Sequence, residues 1–261
     1  MRPVTLQKSL GLRPDDSSLL FLDIRKSTGN HRSPIVHPSV NLYSDMAKVI
    51  AALFVFLGGF AIMVLEITGA RYLAKDFGGS FYIWIAQIGV ILIALAAGYA
   101  VGGKLADHFQ RARFLVLPLT AAGLFTLLIP ELTPPLVKSI VMRHPLDREI
   151  PSLWLKLDPV LGSTVVFFLP CFVLAILSPY TIRLASKRLE HVGTVSGLIY
   201  ASSTVGSIVG VFLSGFVLID HLGVSSIFRM TGILTLGLAW MSWLMDRWLA
   251  KRSLSRNDVP A

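Results

Sequence analysis

The run from Val49 to Leu65 constrains the fold more than any other stretch, because it contains no charged and no polar side chain. An α-helix rises about 1.5 Å per residue, so about 20 residues cross the hydrocarbon core of a bilayer. The run ends at a carboxylate, Glu66, which stands five residues before Arg71. We therefore predict a transmembrane helix over residues 46–69 with an ionisable group near its end.

Five further apolar runs predict five more transmembrane helices. The mean hydropathy of the chain is +0.68 and only 15% of its residues are charged, whereas soluble domains carry about 25%. The sequence thus predicts an all-α integral membrane protein, a bundle of six transmembrane helices in a lipid bilayer. The predicted spans are 46–69, 81–103, 112–130, 159–185, 195–219 and 224–246.

The polar segments set the predicted domain limits. Residues 1–45 are expected to be a disordered cytoplasmic tail, 46–247 the membrane domain, and 248–261 a basic cytoplasmic tail. Pro130 and the pair Pro134-Pro135 are expected to close the third span, because proline cannot continue the helical hydrogen-bond pattern. A polar connection over 132–158 would then follow, with a short amphipathic helix near residues 136–142.

The positions of the basic residues predict the orientation. With the N-terminus inside, 17 of the 24 Lys and Arg lie in cytoplasmic segments and 6 in external ones. This bias predicts a multi-pass protein of the cell (inner) membrane with both termini in the cytoplasm. The net charge of +9 is accounted for by these flanking segments, so we expect no nucleic-acid partner.

Small residues recur at helical spacing on the second and fifth spans. The glycines are Gly98, Gly102, Gly206, Gly210 and Gly215. Small side chains let helix backbones approach closely in lipid. They predict helix packing within the bundle, or alternatively a sliding surface in a transporter.

Two short patterns suggest an internal duplication. Gly102-x4-Asp107-His108 closes the second span, and Gly215-x4-Asp220-His221 closes the fifth, 113 residues later. Arg71-Tyr-Leu-Ala after the first span is similarly matched by Arg183-Leu-Ala after the fourth. Two three-helix units in opposite orientation, a 3+3 inverted repeat, are typical of transporter folds.

Glu66 is the first candidate for a substrate-binding or ion-binding residue. Ionisable groups within a membrane are costly unless paired and often line transport paths. Arg229 begins the sixth span from the same predicted side, and Gln87 and Arg71 are other candidate partners. The alternative is that Glu66 is solvated at the interface or forms a structural salt bridge.

The loop after the second span is the second candidate. Gly103, Asp107 and Arg111 match the signature Gly-x3-Asp-(Arg/Lys)-x-Gly-Arg-(Arg/Lys), although His108 and Gln110 depart from it. The loop therefore resembles that of the major facilitator superfamily, which implies a major-facilitator-like half. An Asp beside arginines at a helix end can lock neighbouring helices by charge-assisted bonds, which is a conformational role.

The sequence shows no soluble catalytic apparatus. It contains no Gly-rich nucleotide loop after a strand, no Walker loop and no His/Cys cluster with metal-ligand spacing. We therefore expect no cofactor, no metal and no catalytic residue. The single cysteine, Cys171, lies within an apolar run and cannot form a disulfide within the chain.

Several segments together resemble the membrane domain of spermidine-synthase-like proteins. They are FAIMVLEITGARYLAKDF from Phe60, GGSFYIW from Gly78, GYAVGGKLAD from Gly98, Leu169 to Pro179, and GLIYASSTVGSIVG from Gly197. In many relatives this domain precedes a soluble aminopropyltransferase domain, and the nucleotide loop and diamine-binding acids of that domain have no counterpart here. The resemblance implies a link to polyamine biosynthesis without the catalytic residues.

Two functions are expected from these observations. The first is a non-catalytic membrane anchor or subunit that docks a separately encoded aminopropyltransferase-like enzyme at the cytoplasmic face. The alternative is a major-facilitator-like half-transporter that works as a homodimer and carries a polyamine or another small cation, with Glu66 binding it. A third reading, an incomplete remnant of a fused enzyme, is the weakest of the three.

Overall fold

The computed structural model describes residues 38–78, 81–144, 150–186 and 192–257, which are helical apart from short turns and contain no strand. Six long helices follow one another in these ranges. They are α1 (Pro38–Phe77), α2 (Phe81–Phe109), α3 (Val116–Val141), α4 (Ser152–Ala185), α5 (Val192–Leu213) and α6 (Val224–Asn257). A 3₁₀ turn (Ala112–Leu115) leads into α3, and α5 continues through a π turn (Ser214–Leu218) and one α turn (Ile219–His221).

Each of the six helices contains a segment long and apolar enough to cross a membrane. Within the described residues there are six such segments, of 24 to 34 residues. This confirms the predicted all-α class and the presence of six helices that are long and apolar enough to span a membrane, as expected for a multi-pass protein. The segments are Lys48–Phe77, Phe81–Phe109, Ala112–Val141, Ser152–Ala185, Val192–His221 and Val224–Arg247.

The third helix is longer than predicted. The structure continues α3 through Pro130, Pro134 and Pro135 to Val141, so the expectation that these prolines close the span is wrong. A proline removes one backbone donor, but neighbouring helices can support the bent segment. Residues on both sides of the prolines are buried, among them Ile129 and Val137, so packing against the bundle keeps the helix intact.

The outer helix ends also extend beyond the predicted limits. Helix α1 begins at Pro38 rather than near residue 46, and α6 runs to Asn257 rather than ending near 246. The parts of the two predicted tails at 1–37 and 258–261 lie outside the described residues.

Helix α4 occupies the centre of the bundle. In its most apolar window 61% of the residues are buried, compared with 17% in the fifth span. Neighbours reach α4 from several sides: a Cβ placed at Gly98 of α2 would lie 2.6 Å from Ala175, and one at Gly58 of α1 would lie 2.8 Å from Leu177. The ring of Phe228 in α6 packs 5.9 Å from that of Phe167.

Two more contacts complete the bundle. Helix α5 lies against α1, where a Cβ at Gly206 would come 2.8 Å from the carbonyl carbon of Phe56. Helix α3 crosses α6, where a Cβ at Gly123 would come 2.9 Å from Leu236. We name the two ends of the bundle after acidic residues: the Asp107 end holds the α2–α3 and α4–α5 connections, and the Asp220 end holds the α1–α2, α3–α4 and α5–α6 connections.

Candidate functional site

Gln87 is a fully buried amide in the interior of the bundle. Its side chain is 0% exposed and lies between α1 and α4: a Cβ placed at Gly69 would be 2.5 Å from Gln87 Nε2 and 2.7 Å from Phe167. Within the described chain neither atom of the amide has a hydrogen-bond partner. Position 69 must therefore be glycine to leave room for this polar group.

Two buried hydroxyl groups lie at the same level of the bundle. Thr68 precedes Gly69 on α1, and Ser163 lies one turn before Phe167 on α4. Residues of α2 and α4 that contact each other are 74 to 77 positions apart in sequence, as Gly98 and Ala175 are. Ser163 is 76 positions after Gln87, so the two residues lie at the same level. Both hydroxyls are 0% exposed and neither has a partner among the described residues.

Several buried hydroxyls of the bundle have a partner, although those of Thr181 and Ser186, at the other end of α4, also lack one among the described residues. Thr126, Thr231 and Thr235 each donate to the carbonyl oxygen four residues earlier, which is the usual way to satisfy a hydroxyl within a helix. Each unsatisfied buried polar group costs about 1–3 kcal/mol. Such groups are commonly satisfied by a bound water or a ligand. We call Thr68, Gln87 and Ser163 the polar layer.

Glu66 lies next to the polar layer. It stands three residues before Gly69, hence on the same side of α1 and one turn further from the Asp220 end. The side chain is half-buried, and in the described part of the chain it forms no ion pair. This region of the bundle thus combines the carboxylate of Glu66 with the three neutral side chains of the polar layer.

The predicted contact between Glu66 and Arg229 is wrong. Arg229 Nη2 donates to Glu131 Oε1 at 2.6 Å, which joins α6 to α3. The neighbouring Phe228 is the residue that faces α1, with its ring 5.2 Å from that of Tyr72. Arg229 projects to another side of α6 and therefore reaches α3. The remaining candidate partner, Arg71, is exposed and has no ion-pair partner within the described ranges.

The predicted conformational loop is joined to α4. Arg183 Nε donates to Asp107 Oδ1 at 2.7 Å. In the sequence Arg183 stood out only as part of the repeat pattern, so its pairing with Asp107 was not predicted. The Arg111 side chain forms no described ion pair, although its carbonyl oxygen accepts a 2.8 Å bond from the buried Tyr180 hydroxyl. Gly103 has open space where a Cβ would lie.

A cavity of about 480 Å³ lies beside the Asp107–Arg183 pair, between α2, α4 and α5. Its lining combines this pair with hydroxyl groups and apolar side chains: Gly103, Asp107, Pro179, Ile182, Arg183, Ser186, Val192, Ser196 and Tyr200. Along α2, Asp107 is 20 residues from Gln87, or about 30 Å at the rise of an α-helix. The cavity and the polar layer therefore lie towards opposite ends of the bundle.

Four of the five glycines singled out in the sequence lie at close helix contacts. A Cβ would come within 3 Å of α4 at Gly98 and Gly102, and within 3 Å of α1 at Gly206 and Gly210. Gly215 differs, because no atom lies within 4 Å of its Cβ position. It lies in the π turn and makes no close helix contact with the described residues.

A polar cluster at the Asp220 end was not anticipated from the sequence. Asp158, which is 5% exposed, accepts a hydrogen bond from Arg143 Nη2 through Oδ1, and its Oδ2 lies 2.8 Å from His144 Nε2. The Arg143 guanidinium stacks 4.1 Å from the ring centre of Trp154. These contacts join the end of α3 to the beginning of α4; the spacing of the residues gave no signal, because they lie on either side of a connection.

The described residues contain no group of three His, Cys, Asp or Glu side chains that could hold a metal ion. Comparison with known proteins finds no family model, no curated protein and no solved structure that matches the chain.

Proposed function

We propose that the protein is a carrier for a small cation, and that Glu66 and the polar layer form its binding site. The observation that carries the proposal is the set of buried, unpartnered polar atoms of Thr68, Gln87 and Ser163 beside a carboxylate with no described basic partner. Neutral oxygens with one carboxylate favour a cationic ligand, and intramembrane ionisable groups commonly mark transport paths.

The contact registers support a 3+3 inverted repeat. Suppose that each residue of α1–α3 corresponds to the residue 113 positions later in α4–α6. Contacts between α2 and α4 join residues that are 74 to 77 positions apart, so the equivalent contacts between α1 and α5 should join residues 149 to 152 positions apart. Gly206 contacts Phe56 and Gly210 contacts Phe60, both at a separation of 150. Other α1–α5 contacts, of Gly59 with Ser203 and Ser207 and of Gly210 with Met63, lie at separations of 144 to 148. Gly123 and Leu236, which meet at the α3–α6 crossing, are themselves 113 residues apart. Such repeats are common among carriers, which bind substrate at the repeat interface.

Uptake by reconstituted protein tests the carrier. We expect liposomes containing the purified protein to accumulate a labelled polyamine such as putrescine, and Glu66→Gln to abolish this uptake because it removes the charge that binds the cation. Glu131→Gln is the matched control, since it makes the same change at an exposed ion pair and should retain uptake. Parental uptake by Glu66→Gln, or no uptake by the unmodified protein, would contradict the proposal.

The polyamine in this proposal comes from the resemblance of the membrane segments to spermidine-synthase-like proteins. A homodimer is part of it, since six helices correspond to half of a facilitator. The fifth span, of which 17% is buried within the chain, offers the most surface to a second copy. Crosslinking of the reconstituted protein should then give a dimer through α5.

The second candidate is a membrane anchor for an aminopropyltransferase-like enzyme. It is favoured by α6, which continues ten residues beyond the last span residue, Arg247, to Asn257 and so offers an extension of the bundle for docking. Deleting residues 248–261 should release such an enzyme from membranes, whereas Glu66→Gln should leave it bound. Co-purification from the native membrane, followed by identification of the bound proteins, distinguishes the anchor from the carrier.

A further inference from the structure

One ion pair lies at the Asp107 end of the bundle, and the repeat pattern relates it to an arginine and an aspartate at the other end. Asp107 and Arg183 join α2 to α4 at 2.7 Å. The residue 113 positions after Asp107 is Asp220, and the residue 112 positions before Arg183 is Arg71. The repeat therefore relates the observed pair to Arg71 and Asp220, at the opposite end of the bundle.

The contact register of α1 and α5 brings these two residues to the same level. Gly206 contacts Phe56 and Gly210 contacts Phe60, each pair 150 residues apart, and Arg71 is 149 residues from Asp220. Both side chains are nevertheless exposed. Neither forms an ion pair with any residue that the structure describes.

A π turn lies between the last close α1–α5 contact, at Gly210, and Asp220. The turn spans Ser214–Leu218 and contains one residue more than an α turn, which rotates the chain that follows by about 100°. The Ser214 hydroxyl donates to the carbonyl oxygen of Gly210 at 2.6 Å, within the segment where the hydrogen-bond pattern changes. No described atom lies within 4 Å of the Cβ position of Gly215, so a change of winding meets no obstacle at this residue, whereas Ser214 is buried.

We propose that Arg71 and Asp220 form a second ionic latch, which closes the Asp220 end when the Asp107–Arg183 latch opens. The π turn is the two-state element: when it converts to an α turn, Asp220 rotates towards Arg71. In the described structure the first latch is made and the second is not. This inference rests on the proposed carrier function, since it supplies the alternating closure that a carrier needs.

Cysteine crosslinking tests the latch without measuring transport. The protein would carry Arg71→Cys, Asp220→Cys and Cys171→Ala, the last because Cys171 is the only native cysteine. Adding Asp107→Asn removes the first latch. We expect the yield of the 71–220 crosslink to rise about two- to fivefold, the shift in equilibrium that one exposed ion pair supports. Asp107 is well exposed, so its substitution leaves the fold intact.

The matched control replaces the acidic residue of the other exposed ion pair. Glu131→Asn in the same cysteine background breaks the bond to Arg229 and should leave the crosslink yield unchanged. Equal yields with and without Asp107→Asn, or an equal rise in the Glu131→Asn control, would overturn the latch.

Charge exchange in liposomes gives a second measurement. Arg71→Asp should reduce uptake of labelled putrescine, and the double variant Arg71→Asp/Asp220→Arg should restore it by re-forming the pair in reverse. Uptake that stays low in the double variant contradicts the latch but leaves the carrier standing. A crosslink that responds to Asp107→Asn in a protein without uptake supports the latch and contradicts the proposed cargo.

Discussion

At position 206 a glycine lets α5 lie directly against the backbone of α1. A side chain there would meet the carbonyl group and Cα of Phe56, which cannot move aside as a flexible side chain can. Within lipid, close backbone approach replaces the hydrophobic effect as the force between helices. The close approach of α1 and α5, one of the contacts between the two proposed repeat units, therefore requires glycine at positions 206 and 210.

We expect Gly206→Leu to destabilise the protein by about 1–3 kcal/mol, because the added side chain forces α1 and α5 apart. The midpoint of thermal unfolding in detergent should fall by about 2–4 °C for each kcal/mol. Gly197→Leu is the control on the same helix, since no atom lies within 4 Å of that Cβ position. An equal fall in both variants would contradict the packing argument.

At the scale of the elements, the Asp158 cluster fixes where α3 ends and α4 begins. The side chains of Arg143 and His144 both contact the buried carboxylate of Asp158. The ring of Trp154 packs against the guanidinium of Arg143. Arg143 and His144 follow α3 directly, while Trp154 and Asp158 lie in the first turns of α4. The cluster thus connects the extended, proline-containing end of α3 to the central helix.

We expect Asp158→Asn to loosen this junction, because hydrogen bonds to a charged group contribute about 1.5–3 kcal/mol each. Amide hydrogen exchange at residues 142–144 should accelerate about tenfold or more, as local opening becomes easier. Asp76→Asn is the control, since Asp76 lines a small cavity together with His144 and Asp158 but forms no ion pair with any described residue. Unchanged exchange in Asp158→Asn would show that the cluster does not hold the connection.

For the whole molecule, six spans predict that both termini lie on the same side of the membrane, and the bias in Lys and Arg predicts that this side is the cytoplasm. Epitope tags at the two termini should both be protected in intact cells and become accessible after permeabilisation. A tag inserted at residues 146–147, in the α3–α4 connection, should be accessible from outside. Tags on opposite sides, or release of the protein by a carbonate wash, would contradict the six-span architecture.

The sequence alone determined the class of the protein and the number of its spans. Both depend on the length and composition of single segments, which are local properties: the run from Val49 to Leu65 must leave water whatever its neighbours are. The glycines at 98, 102, 206 and 210 were also recognisable, because helical spacing places small residues on one side of a helix. Glu66 and Gln87 stood out as polar side chains within apolar runs; the structure shows that Gln87 is buried, and a binding role for either stays a prediction.

Only the tertiary structure decided the partners. Arg229 pairs with Glu131 instead of Glu66, and Asp107 pairs with Arg183 on α4, because the rotation of each helix about its axis sets which neighbour a side chain reaches. The continuation of α3 through Pro134 and Pro135 likewise depends on burial by the surrounding bundle. Hydropathy carries no information on these rotations, because they follow from the packing of helices that are distant in sequence. The common level of Thr68, Gln87 and Ser163 in the bundle follows from the same packing.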